Sequence, residues 1–110
     1  MESKEALSSL AALAHEQRLE IFRLLIKAGE TGVPAGEIAT TLHVRPNTLS
    51  NNLSVLAAAN LVHSKREGRT IRYFAALERM SALLGFLMED CCGGNPEICR
   101  PVLKQMSCTN

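Results

Sequence analysis

Apolar residues recur at helical spacing along most of this chain, interrupted by one stretch of strand-like character. Residues 4–14 set Leu7, Leu10, Ala11 and Ala14 on one helical face. Residues 15–28 do the same with Leu19, Phe22, Leu25 and Ile26, and Gly29 and Gly32 end that helix, since glycine suits the left-handed C-terminal position. Pro34 opens a short helix over 35–42 that carries Ile38, Ala39 and Leu42. After a tight connection, His43-Val44-Arg45, Pro46 falls in the first turn of the next helix, where its missing N–H is not needed. That helix runs to about residue 60, with Leu49, Leu53 and Leu56 as its buried stripe. Its other side presents Asn47, Thr48, Asn51 and Ser54, with Ser50 nearer one edge. A short helix, a tight turn and a second helix with a small polar outer face predict a helix-turn-helix.

Residues 61–65 and 70–75 are rich in β-branched and aromatic side chains and predict two strands. Arg66-Glu67-Gly68-Arg69 joins them; Gly68 supplies a positive φ that Glu67 would not favour, so a loop longer than two residues is expected. A basic hairpin in this place is a wing. A last helix starts near Leu77, with Met80, Leu83, Leu84, Leu87, Met88 and Cys91 along one stripe. The stripe is long for a domain whose core is already served. It suits a dimer seam with the first helix beside it, packing within one chain being the alternative. Gly93-Gly94-Asn95-Pro96 breaks the helix, and 97–110 is either a further helical turn or a mobile tail. The expected class is mainly α with a β-hairpin wing (α+β), a winged helix-turn-helix acting as a homodimer. Residues 1–92 form its DNA-binding and dimerisation domain and 91–110 a cysteine-containing tail.

Composition narrows the picture. A chain of 110 residues makes one domain with a small core, and with no Trp, one Tyr and three Phe that core must be aliphatic. No apolar run approaches the roughly eighteen residues a membrane span needs, and the N-terminus lacks the pattern of a secretion signal. A cytoplasmic location is therefore expected, where stable disulfides are not. The net charge of +1 says little about partners. Its distribution says more: residues 38–77 hold Arg45, Lys65, Arg66, Arg69 and Arg72 against Glu67 alone, a local balance of five bases minus one acid. Such a segment fits a phosphate-contacting surface or an ordinary solvated face.

Taken together, several segments resemble the ArsR/SmtB family of small dimeric winged-helix repressors that sense metals and metalloids, over residues 5–92. They are Leu13-Ala14-His15-Glu16-Gln17-Arg18-Leu19, Leu49-Ser50-Asn51-Asn52-Leu53-Ser54-Val55-Leu56, Ala58-Ala59-Asn60-Leu61-Val62 and the Arg66-to-Arg69 hairpin. The resemblance implies that two recognition helices enter successive major grooves of an inverted-repeat operator in double-stranded DNA. Asn47, Thr48, Ser50, Asn51 and Ser54 would face bases or phosphates, Arg45 the backbone, and Arg66 and Arg69 phosphate or the minor groove. Ser50 has a second reading, local capping or packing. Where many relatives carry a Cys-x-Cys pair, Glu37 to Leu42 holds no sulfur, and Met80 to Met88 lacks the Asp and His pairs of the zinc sensors. The family's usual Ser-Gln-Pro is Arg45-Pro46-Asn47, and its two histidines are Asn51 and Asn52.

All four cysteines lie in the last twenty residues. Cys91-Cys92-Gly-Gly with Pro96-Glu97 and Cys99 looks like the arsenite repressors whose ligands follow the dimerisation helix. As(III) or Sb(III), the expected inducer, is soft and binds three thiolates as a pyramid, and no organic cofactor is expected. Cys91, Cys92 and Cys99 supply the three thiols within nine residues. Neighbours on a helix point about 100° apart, so the chain must turn at Gly93-Gly94 for all three to converge. Four alternatives stand beside this one. The cysteines could form a four-sulfur zinc or cadmium site with Cys108, a thiol redox switch, an inert cluster, or the nucleophiles of a small thiol reductase. A reductase fits poorly, because Cys91 follows Glu89 and Asp90 near a helix C-terminus, which raises a thiol pKa, and no Cys-x-x-Cys occurs. His15 is read as part of the opening of the second helix, His43 and His63 as solvated or hydrogen-bonded, and Met80 and Met88 as core fillers.

Overall fold

A computed structural model describes residues 1–89 together with 100, 101, 104 and 105. Its elements run α1 Ser3–Leu13, α2 Glu16–Ala28, a 3-10 turn Gly29–Thr31, β1 Val33–Pro34, α3 Ala35–Leu42, α4 Pro46–Ala58, β2 Val62–Glu67, β3 Thr70–Ala75 and α5 Leu77–Leu87. The strands form one antiparallel sheet in the order β1-β3-β2.

The helices begin and end on local signals. His15 caps α2: its Nδ1 accepts from the N–H groups of Gln17 (3.2 Å) and Arg18 (3.4 Å), which lack intrahelical acceptors. His15→Ala should therefore cost about 1 kcal/mol of stability in a thermal melt, and His15→Asn much less. Pro46 opens α4 at its first turn, and His43 (φ 55°) and Asn60 (φ 61°) take the left-handed conformation just beyond α3 and α4. The core gathers Ile21, Leu25, Ile38, Leu56 and Leu61, all fully buried, between α2, α3, α4 and the sheet.

On α1 the buried residues are Ala6, Ser9 and Ala12, whose small side chains let the helix approach closely; Leu7, Leu10, Ala11 and Ala14 are exposed. Two expectations need correction. On α2, Phe22 and Leu25 are buried as expected, but Leu19 and Ile26 are exposed and Ile21 takes the inward place. The wing loop has two residues, not more: Glu67 pairs with Thr70. Gly68 (φ 66°) occupies the first loop position and Arg69 has no positive φ, the type II′ pattern that suits strand twist. Strand β1 was not anticipated. It is two residues long, pairing Val33 with Tyr73 and Pro34 with Arg72.

Helix α1 is tied to α5 by Arg79, whose Nη1 donates to Glu5 Oε2 at 2.9 Å. The Glu5 carboxyl is held below its ordinary pKa, first by the backbone N–H of Glu2 and then by Arg79. A depressed folded-state pKa gives stability that is present above the ordinary Glu range and lost as pH falls through the folded value. Melting temperature should thus fall as the pH drops below about 4, and less steeply in Glu5→Gln.

Candidate nucleic-acid interface

Helix α4 divides cleanly into two faces. Leu49, Asn52, Leu53 and Leu56 are buried, while Asn47, Thr48, Ser50, Asn51 and Ser54 are exposed, as is Arg45 at the N-cap. The reason is periodicity: apolar residues four and seven apart turn one side inward and leave small polar side chains outward. Asn47 Oδ1 accepts from the Thr48 N–H at 3.0 Å, so the Asn47 carboxamide is drawn toward the first turn.

The wing adds cationic groups. Arg66 and Arg69 are exposed, and Arg66 Nε donates to the Gly68 carbonyl at 3.3 Å, which holds that guanidinium against the loop. Arg72 does other work. It donates to Glu67 Oε1 (2.9 Å) and to the carbonyls of Thr31 (3.1 Å) and Gly32 (3.4 Å), fastening the hairpin to the segment before β1. Its charge is already matched by a carboxylate. Lys65, opposite Arg72 in the register, is exposed and extends the basic surface.

One residue of the recognition helix behaves differently from the expectation for its neighbours. Asn52 is 7% exposed and lies behind the reading face. Its Nδ2 donates to Gln17 Oε1, and its Oδ1 accepts from Arg18 Nη1 at 3.4 Å. The signal was present in the sequence, because position 52 falls in the Leu49–Leu53–Leu56 stripe. Beside it an open cleft of about 640 Å³ runs between the start of α2 and the start of α4, lined in part by His15, Glu16, Glu20, Thr48 and Asn51.

The histidines and Met80 take bland places. His15 is a helix cap, His43 ends α3, and His63 stacks on Phe74 with ring centroids 5.2 Å apart. Met80 packs partly buried against the core. Cys91, Cys92, Cys99 and Cys108 lie outside the described residues, and α5 as described ends at Leu87, short of the stripe's last expected member. Among the described residues no three His, Cys, Asp or Glu side chains gather as a metal site, and no helix is long and apolar enough to cross a membrane.

Comparison with known proteins decides the class. A helix-turn-helix domain model matches residues 13–65. An ArsR-like transcriptional regulator from Rhodococcus sp. RHA1 superposes with a TM-score of 0.69 and 31% identity, covering 94% of this chain and 93% of that one. This chain belongs to the ArsR/SmtB family. It is a winged helix-turn-helix transcription regulator, a class of DNA-binding proteins that are not enzymes. The transcriptional activator HlyU of Vibrio cholerae is 28% identical over 93 residues, covering 84% of this chain and 83% of its own length. A reduced form of HlyU from Vibrio cholerae is among the solved structures, with a TM-score of 0.63 and 27% identity over 82% of this chain and 92% of that one. The homodimeric winged helix-turn-helix domain of Mb0332 from Mycobacterium bovis aligns with a TM-score of 0.64 and 27% identity, covering 84% and 85% of the two chains.

Proposed function

We propose that this ArsR/SmtB-family protein is an arsenite- or antimonite-responsive repressor that binds an inverted-repeat operator as a homodimer. As(III) captured by Cys91, Cys92 and Cys99 releases it. The observation that carries the reading is the join between two features. Helix α5 bears leucines left uncovered in the single chain, and the first thiol follows its last residue, Leu87, by four positions. A ligand that gathers the thiols acts at the end of the helix that would join two subunits. That would alter the spacing of two recognition helices and so their fit to successive major grooves. The donor set suits the ion, since three soft thiolates satisfy a pyramidal pnictogen centre. The thiols must lose protons, so binding strengthens as pH rises toward about 8.5.

Exposed Asn47, Thr48, Ser50, Asn51 and Ser54 are the reading set, with Arg45, Arg66 and Arg69 on phosphates or the minor groove. The test is a gel shift on the DNA upstream of the chain's own gene, with and without arsenite. Arsenite should weaken wild-type binding by about 5–150-fold, the usual range of allosteric coupling. Cys91→Ser, Cys92→Ser and Cys99→Ser should each bind the operator within about twofold of wild type and lose the arsenite response. Full release of all three variants by arsenite would refute the site.

The reduced form of HlyU among the solved relatives favours a second reading, a thiol redox switch in which Cys91 or Cys92 pairs with Cys99. Peroxide in place of arsenite, reversed by a dithiol, distinguishes it. A reporter gene separates repression from the activation that the name of HlyU declares.

A further inference from the structure

Two polar side chains are buried among the described residues, Ser9 on α1 and Asn52 on α4. Each is clasped by an arginine from another helix. Arg79 of α5 donates from Nε to Ser9 Oγ at 3.2 Å and from Nη1 to Glu5 Oε2 at 2.9 Å. Arg18 of α2 donates from Nε to the Ala12 carbonyl at 2.6 Å and from Nη1 to Asn52 Oδ1 at 3.4 Å. Gln17 completes the set by accepting from Asn52 Nδ2. Glu5, Ser9 and Ala12 follow one another at i, i+4 and i+7, along one side of α1. Ala12 is in the last turn of α1, where carbonyls lack intrahelical donors, so Arg18 also caps that helix with its charge at the negative end.

The net stability these contacts add is modest, and Leu at position 52 would instead complete an apolar stripe. What the amide adds is direction. Oδ1 and Nδ2 must meet two fixed partners on α2, which allows α4 one rotational setting about its axis. Arg18, which faces Asn52, is in turn pinned to the end of α1, and α1 is pinned to α5 by the second arginine.

We propose that α1 is a transmission bar from α5 to the recognition helix, with Arg18 and Asn52 as positioning residues that set the angle at which α4 meets DNA. The proposal rests on the reading of α4 as the element that enters the major groove. A shift of α5 reaches α1 through Arg79, moves the Ala12 carbonyl against Arg18, and turns α4 through Asn52. The sequence-reading side chains lose their register while the phosphate contacts persist.

The test uses the full chain and an operator that the wild-type protein selects from random duplexes. Affinities for operator and for random duplex are measured for wild type, Asn52→Leu, Arg79→Met and the double variant, together with oligomeric state and melting temperature. Each single variant should lose about tenfold or more in operator affinity while random-duplex affinity stays within about threefold. The double variant should lose no more than the weaker single variant. Distant residues without shared partners ordinarily contribute additively, so this saturation is the signature of one relay. Asn52→Asp keeps an acceptor for Arg18 and lets the Gln17 amide turn to donate, and should restore the operator preference. Asn52→Ala removes the same amide without added bulk should Asn52→Leu melt too low. Strictly additive losses, or a fall in melting temperature with operator preference intact, would overturn the relay alone. A wild-type chain with no sequence preference would remove the recognition-helix reading as well.

Discussion

Leu7→Glu combined with Leu87→Glu is expected to leave a folded monomer whose operator affinity is lower by about a hundredfold to ten-thousandfold. In the single chain Leu7 is 65% exposed, Leu10 38% and Leu87 49%, on two helices that are in contact through Arg79 and Glu5. Burying one such leucine is worth about 1.5–3 kcal/mol, and an isologous interface counts each of them twice. A carboxylate placed in that seam faces its own symmetry mate or an apolar wall, and either is costly. The residues lie outside the core, so the fold should survive. The loss in DNA binding follows from tethering: once one half-site is held, the second recognition helix binds at an effective concentration set by the dimer, and a monomer forfeits it. Sedimentation should show the monomer, and a duplex with a single half-site should bind the variant as well as it binds one wild-type subunit. A variant that remains dimeric and binds at full strength would place the seam on another surface.

The same leucines show how far spacing reaches. Amphipathic spacing identifies a helix and its apolar side but not what covers that side. On α1 the leucines were placed on one helical face, with the helix beside α5 at a seam, and the side packed within the chain is instead Ala6, Ser9 and Ala12, held by close approach and by Arg79. The helix-turn-helix was legible because its signals are local: Pro46 at the first turn, the Leu49–Leu53–Leu56 stripe, and the polar residues that alternate with it. The wing was legible as a basic hairpin, but its loop length depended on Glu67 joining the ladder, a cross-strand pairing the sequence does not display. Asn51 was assigned to the outer face and Asn52 was left out of it. The two differ by about 100° of helix rotation, which puts Asn52 in the buried stripe. Strand β1, two residues ending in proline, carries no alternation to detect, and exists because Tyr73 and Arg72 offer it an edge. The three thiols assigned to the metalloid lie outside the described residues, so that part of the reading stands on donor chemistry and spacing.

Gly32→Ala, in the turn before β1, is expected to lower stability by about 3–5 kcal/mol. Two effects combine. Gly32 has φ 66° and ψ −177°, a region open in practice only to glycine. A Cβ built there would also lie 2.5 Å from Phe74 Cε2 and 2.7 Å from the Tyr73 carbonyl oxygen. The phenyl ring could turn only by leaving its stack on His63, and the carbonyl belongs to β3, the central strand, which is paired on both edges. Gly68 provides the comparison: it has the same φ of 66° with nothing within 4 Å, so Gly68→Ala carries the backbone strain without the collision and should cost about 1 kcal/mol. The difference between the two variants in a denaturant titration reports the collision together with the strain of the extended ψ at Gly32. Because Arg72 fastens the wing to the carbonyls of Thr31 and Gly32, the damage should extend to DNA contact. At a temperature where Gly32→Ala is still folded, its binding should be less sensitive to salt than wild type, as expected when Arg66 and Arg69 no longer reach phosphates together. Stability within about 1 kcal/mol of wild type would mean that the turn before β1 can relax, and that the wing does not depend on the close approach of Gly32 to β3.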